Sequence, residues 1–287
     1  MRKVIFFFSV LLCVRGYAVM IAGTDGTAHT TAPVADQGWS YVGQISSKPS
    51  SVTYIDNNWF ITAYHIKQLD TPTGVSLGGN SYSINSLSWT RMLNPDSSGA
   101  DLVMFRVNET VTGLDAQTLV ASSVSLGTPL TMIGNGLNRG EEYDDGIGNH
   151  NTIDGYYYGS GASKRWGSNT VDAVTSEFDD VGYGSTYGFR TDFDNIEGEG
   201  HAVTYDSGGG VYVQNGETYD LAGIMIAAES GSDANGTYAA FKSDTIIADI
   251  SVYSDQISTT AAIPEPTAIS LIGLAGAVIL FIRRLRA

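Results

Sequence analysis

Short runs of β-branched and aromatic residues, cut apart by glycine, recur along this chain from end to end. WSYVGQI (residues 39–45), SVTYI (51–55), WFITA (59–63), LVMFRV (102–107), LTMIG (130–134), GGVYV (209–213) and YDLAGIMIAA (219–228) each have the length of a strand, and 34 glycines punctuate the chain. Strands so short and so regularly broken argue for antiparallel sheets or barrels rather than βαβ units. One segment differs. In FKSDTIIADISVYSDQIS (residues 241–258), Ser243 or Asp244 can cap a helix that places Ile246, Ile247, Ile250 and Tyr253 on one face. The expectation is an all-β domain closed by one short C-terminal helix.

The two ends have a different character. Arg2 and Lys3, an apolar run over residues 4–14 and the small-x-small triplet Gly16-Tyr17-Ala18 read as an export signal that leaves Val19 first in the mature chain. An uncleaved anchor is the competing reading, but the run is about half of the ~20 residues a spanning helix needs. Cys13, the only cysteine, leaves with the signal, so the mature chain has no disulfide and no thiol chemistry. At the other end, Pro264-Glu265-Pro266 precedes an apolar segment (267–282) and a basic tail with Arg283, Arg284 and Arg286. That is a marginal membrane span with its arginines on the cytoplasmic side. The arrangement resembles the PEP-CTERM sorting tail of Gram-negative bacteria, which implies recognition by a membrane exosortase, removal of the tail, and release to the outer surface or matrix. A permanent anchor is the alternative. The chain thus divides into a signal (1–18), a domain (19–255), a linker (256–263) and a tail (264–287).

Removing both ends leaves 9 of the 15 basic residues and 29 of the 30 acidic ones, a net charge near −20. Nucleic acid and anionic lipid are therefore poor partners. The clusters EEYDD (141–145) and DFDNIEGE (192–199) read as solvated loops; calcium in one of them is a second reading, because hard oxygen ligands lie close together there. No other metal or cofactor is expected.

The stretch TYDSGGGVYV (204–213) sets a serine before three glycines, which cost backbone entropy and suit only a sharp turn or a close approach. Two further stretches give it a chemical context. His65 stands in WFITAYHI, where an apolar strand ends and the chain turns; Asp101 opens ADLVMFRV, an acid placed before a buried strand, costly unless it is hydrogen-bonded. A nucleophile, a base and a buried carboxylate are the parts of an acyl-transfer site. In the order His65, Asp101, Ser207, with Trp59 ahead of the histidine and Tyr205-Asp206-Ser207-Gly208-Gly209-Gly210 around the serine, the chain resembles the trypsin/chymotrypsin-like serine peptidases over most of residues 19–255.

The resemblance implies two packed six-stranded antiparallel β-barrels and a secreted or surface-sorted endopeptidase acting on protein or peptide substrates. It implies that Ser207 attacks, His65 moves the proton, Asp101 orients His65, and the backbone N–H groups of Tyr205 and Ser207 receive the oxyanion. Asp206 would pair with a new N-terminus at Val19 or Ile21, created by signal cleavage itself. His201, six residues before Ser207, would sit at the floor of the specificity pocket. The chain departs from the family pattern at Tyr205, which replaces a glycine in the oxyanion loop; losing such a donor costs roughly 10²–10³ in rate. The alternative is a catalytically weak or inactive protein of the same fold that binds at a surface or matrix. A lipase-type esterase would want Gly-x-Ser-x-Gly on a strand-to-helix elbow within an α/β chain, and that alternation is not here. KRWGSN (164–169) is a further distinctive stretch without an assigned role.

Overall fold

A computed structural model describes residues 19–23, 26–69, 71–146, 153–180 and 182–263. The segments read as an export signal and a sorting tail fall outside them. Among the described residues, no helix is long and apolar enough to cross a membrane.

Two large antiparallel sheets form the two barrels. In the first, the strands run in the order Asn80–Ser83, Gly74–Leu77, Val42–Ile45, Ser51–Asp56, Trp59–Thr62, Gly99–Arg106 and Thr90–Leu93. In the second, the order is Arg165–Thr170, Pro129–Gly134, Gly210–Asn215, Thr218–Ala228, Asp244–Asp249, Gly184–Asp192 and Ala173–Asp180. The two-barrel expectation holds, but each sheet has seven strands rather than six. A four-stranded sheet (Leu137–Tyr143, Gly155–Ala162, Gly236–Ala240, Gly231–Asp233) and the pair Met20–Ile21 with Gly200–His201 complete the architecture.

The largest apolar cluster is continuous across both barrels. Val42, Tyr54, Phe60, Ile61 and Phe105 of the first pack in the same cluster as Ile133, Tyr212, Leu221 and Ile224 of the second. Ile250, Tyr253 and Ile257 of the closing helix join it. Dense packing of this kind fixes the relation of the two halves.

The closing helix is present, but it starts later than the sequence pattern suggests. Residues Asp244–Asp249 form a strand and the helix runs over Ile250–Ala261. The run Thr245-Ile246-Ile247 satisfies either period; its place between two strands decides, with Ile247 opposite Phe189 on one side and Met225 on the other. Ser243 and Asp244 are accordingly not the cap. Asp249 is, accepting the N–H of Ser251 at 2.9 Å. A second, short helix, Tyr64–Leu69, begins where the sequence shows only a turn, and carries His65.

Candidate active site

His65 and Asp101 come from the first barrel and Ser207 from the second. Asp101 lies on the strand Gly99–Arg106 and is fully buried. Its two oxygens are both used by His65: Oδ1 accepts the backbone N–H at 2.7 Å and Oδ2 meets ring Nδ1 at 2.7 Å. The carboxylate therefore sets both the position of the helix and the ring tautomer, with the proton on Nδ1 and the lone pair on Nε2. Thr186, from the second barrel, accepts the N–H of Asp101 at 2.7 Å. Arg91 braces the same corner. Its guanidinium donates to the carbonyls of Ala100 and Gly99, each at 2.8 Å, and to that of Tyr183, and lies 3.8 Å from the centre of the Tyr64 ring. Tyr183 in turn flanks the His65 ring at 5.3 Å.

Ser207 lines the same cleft as His65, a cavity of about 350 Å³. Its hydroxyl donates to the carbonyl of Ile226 at 3.4 Å and is not turned toward His65. The N–H groups of Tyr205 and Ser207 donate to no acceptor among the described residues. The loop is held from behind by the first barrel, where the N–H of Ser51 reaches the carbonyls of Tyr205 (3.0 Å) and Ser207 (3.1 Å), and Thr53 Oγ1 donates to Gly208 O at 3.0 Å.

That contact explains the glycines. A Cβ on Gly208 would lie 2.1 Å from Ser51 O and 2.2 Å from Thr62 Oγ1, and its φ is +91°. On Gly209 it would lie 2.3 Å from Ile133 O. No larger residue can stand where the two barrels meet behind the serine.

Tyr205 has φ +80°, a left-handed conformation that glycine takes freely and tyrosine does not. The tether of Ser51 to Tyr205 O and Ser207 O holds the loop in this conformation at a local cost. Replacing Tyr205 by glycine is expected to raise stability by about 0.5–1 kcal/mol, after the greater unfolded-state freedom of glycine is subtracted. Urea unfolding of the two proteins measures it, and a loss of stability would show that the aromatic ring contributes more than the strain costs.

Asp206 is fully buried behind the serine, with its carboxylate accepting the N–H of Gly136 at 2.7 Å and that of Val203 at 2.9 Å. A third backbone hydrogen bond comes from Val19. Burial outweighs these donors and the charge of Arg165 and pushes the carboxyl up to about 7. Val19 to Ala22 are themselves fully buried, and Val19 has φ +40°, a poor conformation for a β-branched residue.

His201 is placed otherwise than the count from Ser207 suggests. It is fully buried and absent from the lining of the cleft, where Ala202 stands instead. Its Nε2 meets Glu229 O at 3.2 Å and its Nδ1 meets Thr245 Oγ1 at 3.1 Å, and burial holds it neutral, down at about 4. The strand pair with Met20 draws it into the core rather than the pocket. The lining is instead apolar, with Ala202, Val203, Met225, Ala227 and Ala228, and ends in the hydroxyls of Ser230 and Tyr158. Burial raises Tyr158 to about 12, so it serves as a neutral donor.

The KRWGSN stretch acts as a clasp. Lys164 donates to the carbonyls of Trp39 and Val42, Arg165 Nη1 to Gly26 O at 2.5 Å, and Trp166 Nε1 to Thr31 O at 3.0 Å, with the indole stacked on His29 at 3.9 Å. Asn169 donates to Asp192 O at 2.8 Å and to Gly200 O at 2.9 Å. One strand thereby fastens the N-terminal arm and the loop ahead of Ser207 to the second barrel.

No protein-family model and no curated protein matches the chain. Solved structures do. The chain has the two-barrel trypsin-like fold. Human heparin binding protein superposes on it with a TM-score of 0.52 at 14% identity, over 80% of this chain and 95% of the other. A double mutant of the same human protein (CAP37) gives a TM-score of 0.53 at 14% identity, over 83% and 97%. Identity at that level speaks to the fold alone.

Proposed function

We propose that the chain is an exported serine endopeptidase that cleaves protein or peptide substrates through an acyl-enzyme. The observation that carries this reading is the double use of the Asp101 carboxylate by His65, across one cleft from a serine flanked by two unspent backbone N–H groups. Ser207 Oγ would leave the Ile226 carbonyl, give its proton to His65 Nε2 and bond to the substrate carbonyl carbon. The N–H groups of Tyr205 and Ser207 would hold the oxyanion. His65 would then protonate the leaving amine, and water would release the acyl group by the same steps reversed. The cleft lining, apolar over Ala202, Val203, Met225, Ala227 and Ala228 and with Lys48 also on it, suits an uncharged side chain next to the scissile bond. Cleavage before Val19 would supply the ammonium that Asp206 is placed to meet, so export and activation would be one event. An exosortase acting at Pro264-Glu265-Pro266 would place the enzyme at the cell surface or in the matrix.

The second reading, a binding protein of the same fold, draws on the Ser207 hydroxyl bonding to Ile226 and on the strain at Tyr205. The polyanion in the name of the human neighbour is not carried over, since a net charge of −15 repels it. Intact-mass analysis of the secreted chain after a fluorophosphonate decides between the two. A single adduct that disappears in Ser207→Ala is expected; no adduct on the folded protein would give the binding reading the lead.

A further inference from the structure

The loop between the strands Gly184–Asp192 and Gly200–His201 brings three carboxylates together. One oxygen each from Asp192, Asp194 and Glu199 lies within 4.8 Å of the other two. Asp172 stands next to them, accepting the N–H of Asp192 at 2.9 Å. Among the described residues Lys242 faces this group; its Nζ pairs with Asp192 at 3.1 Å and with Asp194, and its side chain is 66% exposed.

Acidic loops are usually just solvated, and the trio Asp144, Asp145 and Asp154, with Asp144 and Asp145 exposed, needs no other account. Glu199 is different. It is 7% exposed, and its Oε2 is buried with no hydrogen-bond partner. Buried carboxylate oxygens are hydrogen-bonded, ion-paired or bound to a metal, and Lys242 serves the two aspartates instead.

We propose that Asp192, Asp194 and Glu199 form a binding site for a divalent cation, and that the cation is calcium. The ligands are all hard oxygens, with no nitrogen or sulfur. Two oxygens on opposite sides of calcium stand about 4.6–5.2 Å apart, so the three carboxylates fit around one ion without rebuilding the loop. Lys242 occupies the mouth of the site when no metal is bound, and its exposed stem lets it swing away. The site would also set how firmly the N-terminal segment is seated. Glu199 O accepts the N–H of Ala22 at 2.9 Å, Ala22 O accepts that of Gly198 at 3.1 Å, and Met20–Ile21 pairs with Gly200–His201. An ion at Glu199 stiffens the strip on which residues 19–22 lie.

Calorimetric titration and thermal unfolding of the secreted chain with calcium chloride test this. Expected are a single site with Kd of about 10⁻⁴–10⁻³ M, as in extracellular calcium modules, and a Tm that rises by about 3–5 °C for each tenfold excess over Kd. Hydrogen exchange of residues 19–23 should slow with calcium while that of Thr90–Leu93 stays unchanged. Glu199→Gln should abolish both effects and Lys242→Ala should tighten binding; Asp194→Asn serves in place of the first variant if that one does not fold. Neutralising Asp144 and Asp145 together should change nothing. No heat and no Tm shift at about 10 mM calcium, well above that Kd range, would overturn the site. So would a shift that survives in both Glu199→Gln and Asp194→Asn. An equal response to magnesium would overturn its assignment to calcium.

Discussion

Asp101→Asn is expected to lower kcat on a peptide substrate by about 10⁴ while the protein remains folded. The reason lies in how His65 uses the carboxylate. One oxygen takes the backbone N–H of His65 and the other faces ring Nδ1, each at 2.7 Å. An asparagine amide has one acceptor and one donor end. The backbone N–H cannot change its role, so the amide oxygen must stay there and the NH₂ must face Nδ1. That reverses the ring tautomer, puts the proton on Nε2, and leaves Ser207 without a base. Size and burial are almost unchanged, so circular dichroism and Tm should move little. A loss below tenfold would mean that Asp101 does not set the tautomer.

The second large effect concerns Val19 and Asp206. In the uncut chain the carboxyl receives only backbone N–H groups, and burial raises it from the ordinary 3.8 to about 7. A raised acid destabilises the fold as pH climbs from the unfolded value through the folded one, because the unfolded chain gives up its proton first. The uncut chain should lose on the order of 4 kcal/mol through this group between about pH 4 and pH 7.5. Cleavage before Val19 places an ammonium against the carboxylate and removes most of that loss. His201, held neutral down to about 4, works in the opposite direction below its ordinary 6.5. It does so in both forms and drops out of the difference between them. Urea unfolding of cut and uncut chains at the two pH values measures the effect. In the cut chain, Asp206→Asn strands a buried ammonium at a cost of about 3–5 kcal/mol, and fluorophosphonate labelling should slow by about 10²–10³. Equal pH curves for the two forms, or full labelling of a chain that keeps residues ahead of Val19, would count against signal cleavage as the activating step.

Much of the architecture is legible from the residues because the strands are short, β-rich and ended by glycine. The meeting of Ser207 with His65, held by Asp101, in one cleft follows from three local stretches whose order is informative only jointly. What stays hidden depends on distant partners. Ser51 and Thr186 are unremarkable in sequence, yet they hold the loop at Tyr205 and the amide of Asp101 from across the interface. Ile246 and Ile247 fit a helix face as well as a strand, and only the two flanking strands decide. The count back from Ser207 puts His201 in the pocket, whereas the path of that loop is set by Met20 and Ile21, far away in the chain. KRWGSN is distinctive as letters, but its partners lie in residues 26–42 and 192–200, which no local pattern connects to it.

The apolar cluster that runs unbroken from Val42 and Phe60 through Tyr212 and Ile224 to the closing helix has a kinetic side. A cleft between two bodies with separate cores can open and shut like a jaw, with a lid step gating each turnover. Here the two walls belong to one packed solid, and His65 and Ser207 cannot separate without breaking it. Selection of a substrate by the proposed enzyme would then fall on the first encounter, by whether the peptide fits a slot of fixed width. Within that frame the proposed chemistry asks for a turn of the Ser207 hydroxyl away from Ile226 and toward His65.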